Sequence, residues 1–282
     1  MSDPAIPFTA GTAPPRVAVP PGAVDCHHHV YDPALAVAPG GRPHPEATLH
    51  DHARLLARLG VERHVLVQPS TYGFDNRLHL AALDQAGARA RMVAVVPPDA
   101  PLAELRAMAA RGVTGARTNL VQGVPLGPAD VAPLARNLAE VGWHLQVFAG
   151  AELIVSLADV LRALPVPVVF DHFAQLPLHG WAGHPAWGVV MDLLEAGRGW
   201  VKLSSPYSLD QDDPLRVRDL ARALVAAAPE RLVWGSNWPH PNATRMPDDA
   251  ALLDALAEWA PDAAVRRAIL VENPARLYGF TG

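Results

Sequence analysis

The chain of 282 residues has a single cysteine, Cys26. No internal disulfide can form, which fits a reducing compartment. Positive charge is not in excess: 23 Lys and Arg stand against 28 Asp and Glu, a formal net charge of −5. That argues against a protein held on nucleic acid by a basic face. No apolar run approaches the ~18 residues needed to span a membrane. The opening stretch MSDPAIPFTAGTAPPRVAVPPGA has neither the basic start nor the continuous apolar core of a signal peptide. The cytoplasm is therefore the expected setting, with neither nucleic acid nor membrane as partner. A phosphate-binding loop is also missing. Val30-Tyr31-Asp32-Pro33 follows the first strand where a doubly wound sheet would carry glycines, and no G-x-x-x-x-G-K-[ST] run occurs. Proline, at 29 residues, is in excess. Most prolines lie between strong apolar blocks, but Pro14, Pro15, Pro20 and Pro21 mark residues 1–22 as an extended arm, lying on the surface or poorly ordered.

What is present is alternation. Apolar, β-branched blocks at Ala23–Val30, Arg63–Gln68, Arg91–Val96, Gly115–Leu120, His144–Ala149, Val166–His172, Trp200–Ser205 and Leu232–Asn237 read as strands. Helix-period blocks lie between them: Thr48 to Gly60, one capped by Asp75, then Pro101–Arg111, Pro128–Val141, Glu152–Leu164, Pro185–Ala196, Pro214–Ala228 and Asp249–Trp259. Proline near the first turn and glycine at the stop (Gly60, Gly112, Gly142) mark several of them. Ala263–Leu270 and Asn273–Tyr278 would pack against the outside. Eight strand–helix units predict an α/β fold, a (β/α)₈ TIM barrel, as a single domain over residues 23–282.

In such a barrel the site lies at the C-terminal ends of the strands. The strand period of two puts Asp25, His27 and His29 on one face, and Cys26 and His28 on the other. Two inward histidines are costly in an apolar core unless paired, so they mark either a site or a structural histidine network. Convergence of the other strand ends favours the site. Cys26 reads as an inert thiol facing the helix layer. Strand 2 leads to Ser70 and Tyr72, hydroxyls that also make turns. Strand 4 carries Arg117 and Asn119, and an inward arginine needs an anion, from the protein or from a substrate. Strand 5 ends on Phe148, strand 6 on His172, and strand 8 on Asn237 with His240 beyond it. Lys202 is equally a structural ion-pair partner and receives no role.

The blocks V-D-C-H-H-H-V-Y-D-P, V-Q-P-S-T-Y-G-F-D-N, G-A-R-T-N-L, V-V-F-D-H-F and L-V-W-G-S-N-W-P-H-P, in barrel order, resemble the amidohydrolase superfamily. The likeness is to the branch of 2-pyrone-4,6-dicarboxylate lactonase, sulfomuconolactone hydrolase and sugar-acid lactonases, and it runs from Gly22 to Phe280. It implies that His27 and His29 are the paired histidines after strand 1 and that Ser70 is a hydroxyl near the substrate. Arg117 then binds a carboxylate, and His172 polarises the scissile carbonyl. Members of this branch can work without a metal. There are two departures. Asn237 stands where the family usually has an aspartate that activates water, and an amide is no general base. Leu120-Val121-Gln122-Gly123 and Ser205-Pro206-Tyr207-Ser208 carry no arginine for a second carboxylate, and Phe148 replaces a typical tyrosine. A smaller or less charged lactone is expected rather than a doubly charged pyrone.

The expectation is a hydrolase that opens a small carboxylated lactone. Arg117 holds the carboxylate, and Ser70, Tyr72, Asn119, Phe148 and His240 add contacts. His172 with His27 or His29 stabilises the oxyanion, and Asn237 orients a water deprotonated by His29 or His240. A lactone isomerase or lyase, and a lactone-binding protein made inactive by Asn237, are the alternatives. No cofactor is expected. The histidines suit zinc, but strand 4 offers Arg117 and Asn119 instead of a bridging carboxylate, Asn237 is neutral, and Arg117 repels an ion nearby. The metal position is thus expected to be empty. The oligomeric state stays open.

Overall fold

A computed structural model describes residues 5–210 and 214–281. Eight strands form one sheet in sequence order, every ladder parallel: β1 (Val24–His28), β2 (Arg63–Val67), β3 (Ala90–Ala94), β4 (Val113–Asn119), β5 (His144–Phe148), β6 (Val168–Phe170), β7 (Gly199–Ser204) and β8 (Leu232–Gly235). Helices α1 (Leu49–Leu59), α2 (Arg77–Ala86), α3 (Leu102–Ala110), α4 (Val131–Ala139), α5 (Ala151–Ser156), α6 (Ala158–Ala163), α7 (Pro185–Glu195), α8 (Arg218–Ala227) and α9 (Asp249–Trp259) lie in the crossovers and after β8. Two more, α10 (Ala263–Arg267) and α11 (Asn273–Tyr278), end the chain. This is the expected (β/α)₈ barrel. Among the described residues no helix is long and apolar enough to cross a membrane.

The local chemistry explains the boundaries. Thr48 and Asp51 form a reciprocal capping box on α1, and Gly60 stops that helix at φ +69°. The expected helix over 152–164 is two helices, broken at Leu157 (φ −97°, ψ 7°). Pro128 and Pro214 open single tighter turns that precede α4 and α8 rather than the helices themselves. Asp75 accepts the backbone N–H of Arg77 at the start of α2. Residues 5–22 pack along the end of β8: Phe8 lies edge-on to Trp238 and 5.1 Å from the His44 ring, and Arg16 pairs with Asp254 of α9.

The lower barrel is apolar. Cys26, Val65, Val67, Val93, Val169, Val233 and Trp200 pack together inside it, closed from below by Tyr278 and Phe280. Cys26 therefore faces the barrel interior, not the helix layer, and Asp25 does not share a face with His27 and His29. The reason is a bulge. Between Asp25, opposite His64, and His28, opposite Leu66, β1 has one residue more than β2. Cys26 and His27 both turn inward across from Val65. Asp25 turns outward to the seam with β8. There its carboxylate accepts from Ser236 N–H (2.9 Å), Ser236 Oγ (2.6 Å) and His27 N–H (3.1 Å), and meets His52 Nε2 at 3.1 Å. Backbone bonds from Asn237 N to His27 O and from His29 N to Trp238 O complete the closure. A Cβ at Gly235 would lie 2.7 Å from the His27 Cβ, so only glycine lets β8 approach the bulge.

Three histidines, His64, His79 and His144, are buried neutral. Burial pulls His64, His79 and His144 from 6.5 down to about 3. A histidine depressed in the folded state leaves stability complete above pH 6.5. That stability is lost as pH falls through 6.5 towards the folded value, at about 1.4 kcal/mol per pH unit per group. The urea midpoint is expected to drop steeply between pH 7 and pH 5. It should drop less steeply in His79→Gln, whose amide oxygen can still accept the Val30 N–H that His79 Nε2 takes at 3.3 Å. An unchanged pH slope in that variant would refute the assignment.

Candidate active site

Above the apolar layer lies a charged one. Asp171 follows β6 and is fully buried, as is Lys202 of β7, and Arg117 of β4 is nearly so. Asp171 Oδ2 accepts from Arg117 Nε at 2.9 Å and from Gln146 Nε2 at 3.1 Å. Its Oδ1 faces His27 Nδ1 at 3.3 Å and Lys202 Nζ at 3.8 Å. Lys202 donates to Gln146 Oε1 (2.7 Å) and Cys26 O (2.9 Å). Burial alone would raise the Asp171 carboxyl; the neighbouring His27, Arg117 and Lys202 hold it well below the usual carboxylate range. Burial draws Lys202 down to about 8, with Asp171 pulling the other way. The amine is thus mainly protonated at pH 7.

On this layer sits a cavity at the C-terminal strand ends. His29, Ser70, Arg117, Asn119, Phe148, His172 and Asn237 line it. His172 reaches it through an unusual backbone. Strand β6 stops at Phe170, and His172, Phe173, Ala174 and Gln175 all have φ between 48° and 57°. Consecutive non-glycine residues in the left-handed region are strained. Here the turn lets two successive residues, Asp171 and His172, serve one site. The His172 ring lies 4.8 Å from that of His27 and 5.1 Å from that of Phe148, and its Nδ1 is 2.8 Å from Ser204 Oγ. Burial lowers His172 to about 4 and His29 well below 6.5, with Arg117 adding to the effect at His29. Both are neutral at pH 7. His29 Nδ1 meets the Val67 carbonyl at 2.7 Å, so that nitrogen carries the proton and Nε2 is the bare one.

Several expected residues sit elsewhere or are already engaged. Tyr72 does not line the cavity; its hydroxyl accepts the Asp32 N–H and donates to the Asp32 carbonyl, pinning the loop after β1. His240 lies behind the wall, between Tyr207 and Asp249. His27 lies beneath the cavity, its Nε2 buried without a partner. Asn119 donates to Ser70 Oγ and Gln122 Oε1 and accepts from Gln122 N–H, so its amide shapes the wall. Arg117 gives Nε to the protein carboxylate while still lining the cavity. Sequence reasoning missed Asp171 and Gln146, while the reading of Lys202 as a structural ion-pair partner is met by Asp171. It also missed the lining residues Tyr31, Arg42 and His44, which belong to the loop after β1, where a search of every strand-end loop would have found them. The Arg42 side chain is exposed and faces no carboxylate among the described residues; the His44 ring stacks on Tyr31 at 4.3 Å.

His27, Asp171 and His172 bring one ligand atom each within 4.8 Å of one another. His27 Nε2 and Asp171 Oδ1 have no hydrogen-bond partner, but an ion held between them would be packed against Lys202 and Arg117, which already face the two Asp171 oxygens. Removing that carboxylate strands two buried cations. Asp171→Asn is expected to cost about 3–5 kcal/mol in urea unfolding at pH 7; a loss within experimental error would show that the ion pairs do not hold the layer together.

The amidohydrolase family profile matches residues 24–280. The 4-sulfomuconolactone hydrolase of Rhizobium radiobacter is 34% identical over 96% of this chain and 94% of its own. The 2-pyrone-4,6-dicarboxylate hydrolase of Comamonas testosteroni is 34% identical over 95% of this chain and 94% of its own. An apo crystal structure from Agrobacterium tumefaciens superposes with a TM-score of 0.88 at 28% identity, covering 97% of this chain and 99% of the other. With the profile spanning the whole barrel, the chain belongs to the amidohydrolase family.

Proposed function

We propose that this chain hydrolyses a small carboxylated lactone at the C-terminal barrel face, without a metal. The observation that carries the reading is the meeting of His29, Arg117, His172 and Asn237 in one cavity, in a chain whose relatives include a 4-sulfomuconolactone hydrolase and a 2-pyrone-4,6-dicarboxylate hydrolase, beside a D-galactarolactone isomerase that is 32% identical. Arg117 receives the ring carboxylate on its terminal nitrogens, with Arg42 above. The carbonyl oxygen accepts from His172 Nε2–H, the tautomer obtained when Ser204 Oγ donates to Nδ1. A water lies between Asn237 and His29. As it attacks the carbonyl carbon, His29 Nε2 takes its proton, and the negative charge that forms on the oxygen falls beside His172 and in the field of Arg117 and Lys202. The ring C–O bond then breaks, and His29 returns the proton to the leaving oxygen. His27 contributes by holding His172 and His29 in place. A lone buried thiol, Cys26, suits action in the cytoplasm.

A panel of carboxylated lactones, followed by proton release and by mass spectrometry, tests the reading. A product heavier by one water supports hydrolysis, and a product of unchanged mass supports isomerisation. Turnover is expected to survive chelators. His172→Gln should lower kcat about 10²–10³-fold, and His29→Gln about 10²–10⁴-fold. Because His29 and His172 are depressed below 6.5, kcat/KM should hold level from pH 7 down to about pH 6 and fall only at lower pH. It should also fall as pH rises through about 8, where Lys202 loses its proton. A folded wild type that opens no lactone, beside an Asn237→Asp variant that does, would replace hydrolysis by binding alone.

A further inference from the structure

Behind Asn237 runs a buried line of four side chains ending on a carboxylate. Asn237 Nδ2 lies 2.8 Å from the Tyr207 hydroxyl, that hydroxyl 2.9 Å from His240 Nδ1, and His240 Nε2 3.2 Å from Asp249 Oδ2. All four residues are buried, Asp249 and His240 at 0% and 2% exposure. The order of protons follows from one end. A carboxylate oxygen of Asp249 accepting from His240 Nε2–H is the arrangement that leaves Nδ1 bare. The Tyr207 hydroxyl must then donate to Nδ1. Its oxygen is left to accept, and Asn237 Nδ2 bonds to it. Burial pushes the Tyr207 hydroxyl well up, so it keeps the hydrogen it donates. Asn237 can meet an accepting oxygen only with its NH₂ group, which turns its Oδ1 into the cavity.

We propose that Asp249, His240 and Tyr207 are positioning residues that lock the Asn237 carboxamide with its oxygen towards the cavity, as a hydrogen-bond acceptor for the attacking water. The backbone assists: Asn237 sits at φ +64° and its N–H is tied to His27 O, so the side chain leaves the seam in a fixed direction. A flipped amide would offer its NH₂ to the water instead. Such a donor competes for the lone pair that attacks. His240, expected from sequence to contact substrate, thus acts through two other residues. Its surroundings include His44 from the loop after β1 as well as Tyr207 and Asp249.

The chain of protons does not depend on which substrate is turned over; only the kinetic arm rests on the lactone-hydrolase reading. The first measurement is the ¹⁵N spectrum of the histidine-labelled protein at pH 7, with the His240 signal identified by its loss in His240→Gln. The proposal expects a proton on Nε2 and a bare, hydrogen-bonded Nδ1. A proton on Nδ1 would overturn it, because Tyr207 would then be free to donate to Asn237. The second is Asn237→Asp. A carboxylate at 237 requires Tyr207 to donate towards it and His240 to donate at both ends, so both ring nitrogens are expected to become protonated at pH 7. An unchanged His240 signal in that variant counts against the chain. The third is Tyr207→Phe, expected to lower kcat about 10-fold on an active lactone with KM within about 3-fold, as fits lost orientation; an unchanged kcat refutes the positioning role. If no lactone is turned over, the two spectra still decide the proposal.

Discussion

One carboxylate inside the barrel sets the conditions for everything above it. Asp171 has no solvent to share its charge with, and the fold gives it Arg117, Lys202 and the Gln146 amide instead. Each of those groups is equally dependent on it, because a guanidinium and an ammonium in a dry barrel are as costly as a bare carboxylate. The set forms a polar floor between the apolar plug around Val65, Val93 and Val233 and the cavity. It also determines the protonation of the histidines resting on it. Cations within the same layer add to burial in keeping His27, His29 and His172 neutral, so the rings meet the cavity as donors and acceptors rather than as charges.

Most of the barrel was legible from the alternation of blocks, because each strand and each amphipathic helix carries its own period. The strand-end residues were legible for the same reason. Reading failed where the backbone departs from its period. The bulge in β1 puts Cys26 and His27 on one face and sends Asp25 to the seam, and a single inserted residue leaves no mark in an apolar sequence. The left-handed turn after β6 has no glycine to announce it, yet it places His172 beside Asp171, a residue that strict alternation would face away from it. Both departures are tertiary: β1 bulges because β8 must close against it, and 172–175 stay strained because the surrounding packing holds them.

Side-chain pairing was the other limit. Tyr72, Asn119 and His240 were read as substrate contacts because they follow strand ends, but position does not reveal which polar group already has a partner. Tyr72 spends its hydroxyl on the Asp32 backbone and Asn119 its amide on Ser70 and Gln122. Lys202 shows the converse. It lies on a strand among apolar residues, and only the convergence of β4, β5 and β6 on it gives the charge a reason. The Arg42 side chain, in a loop of glycine and proline, has no pattern at all; it lines the cavity because Tyr72 pins that loop at Asp32 and Thr71 Oγ1 bonds the Arg42 carbonyl at 2.7 Å.

In the proposed hydrolysis the charged floor and the neutral wall would pull the chemistry in opposite directions, and their balance would account for an amide at 237. Positive charge below the cavity weakens His29 as a base, since its conjugate acid would sit near Arg117. The same charge stabilises the oxyanion that forms when water adds to a carbonyl, and it favours the developing hydroxide. A carboxylate at 237 would supply a stronger base but would also neutralise part of that field and compete with the substrate carboxylate for Arg117. With an asparagine the field remains whole, and the group that touches the water has to supply direction rather than charge. Direction is what a buried file of hydrogen bonds anchored on Asp249 can give, because no member of it can rotate without leaving a polar atom unpaired in the interior.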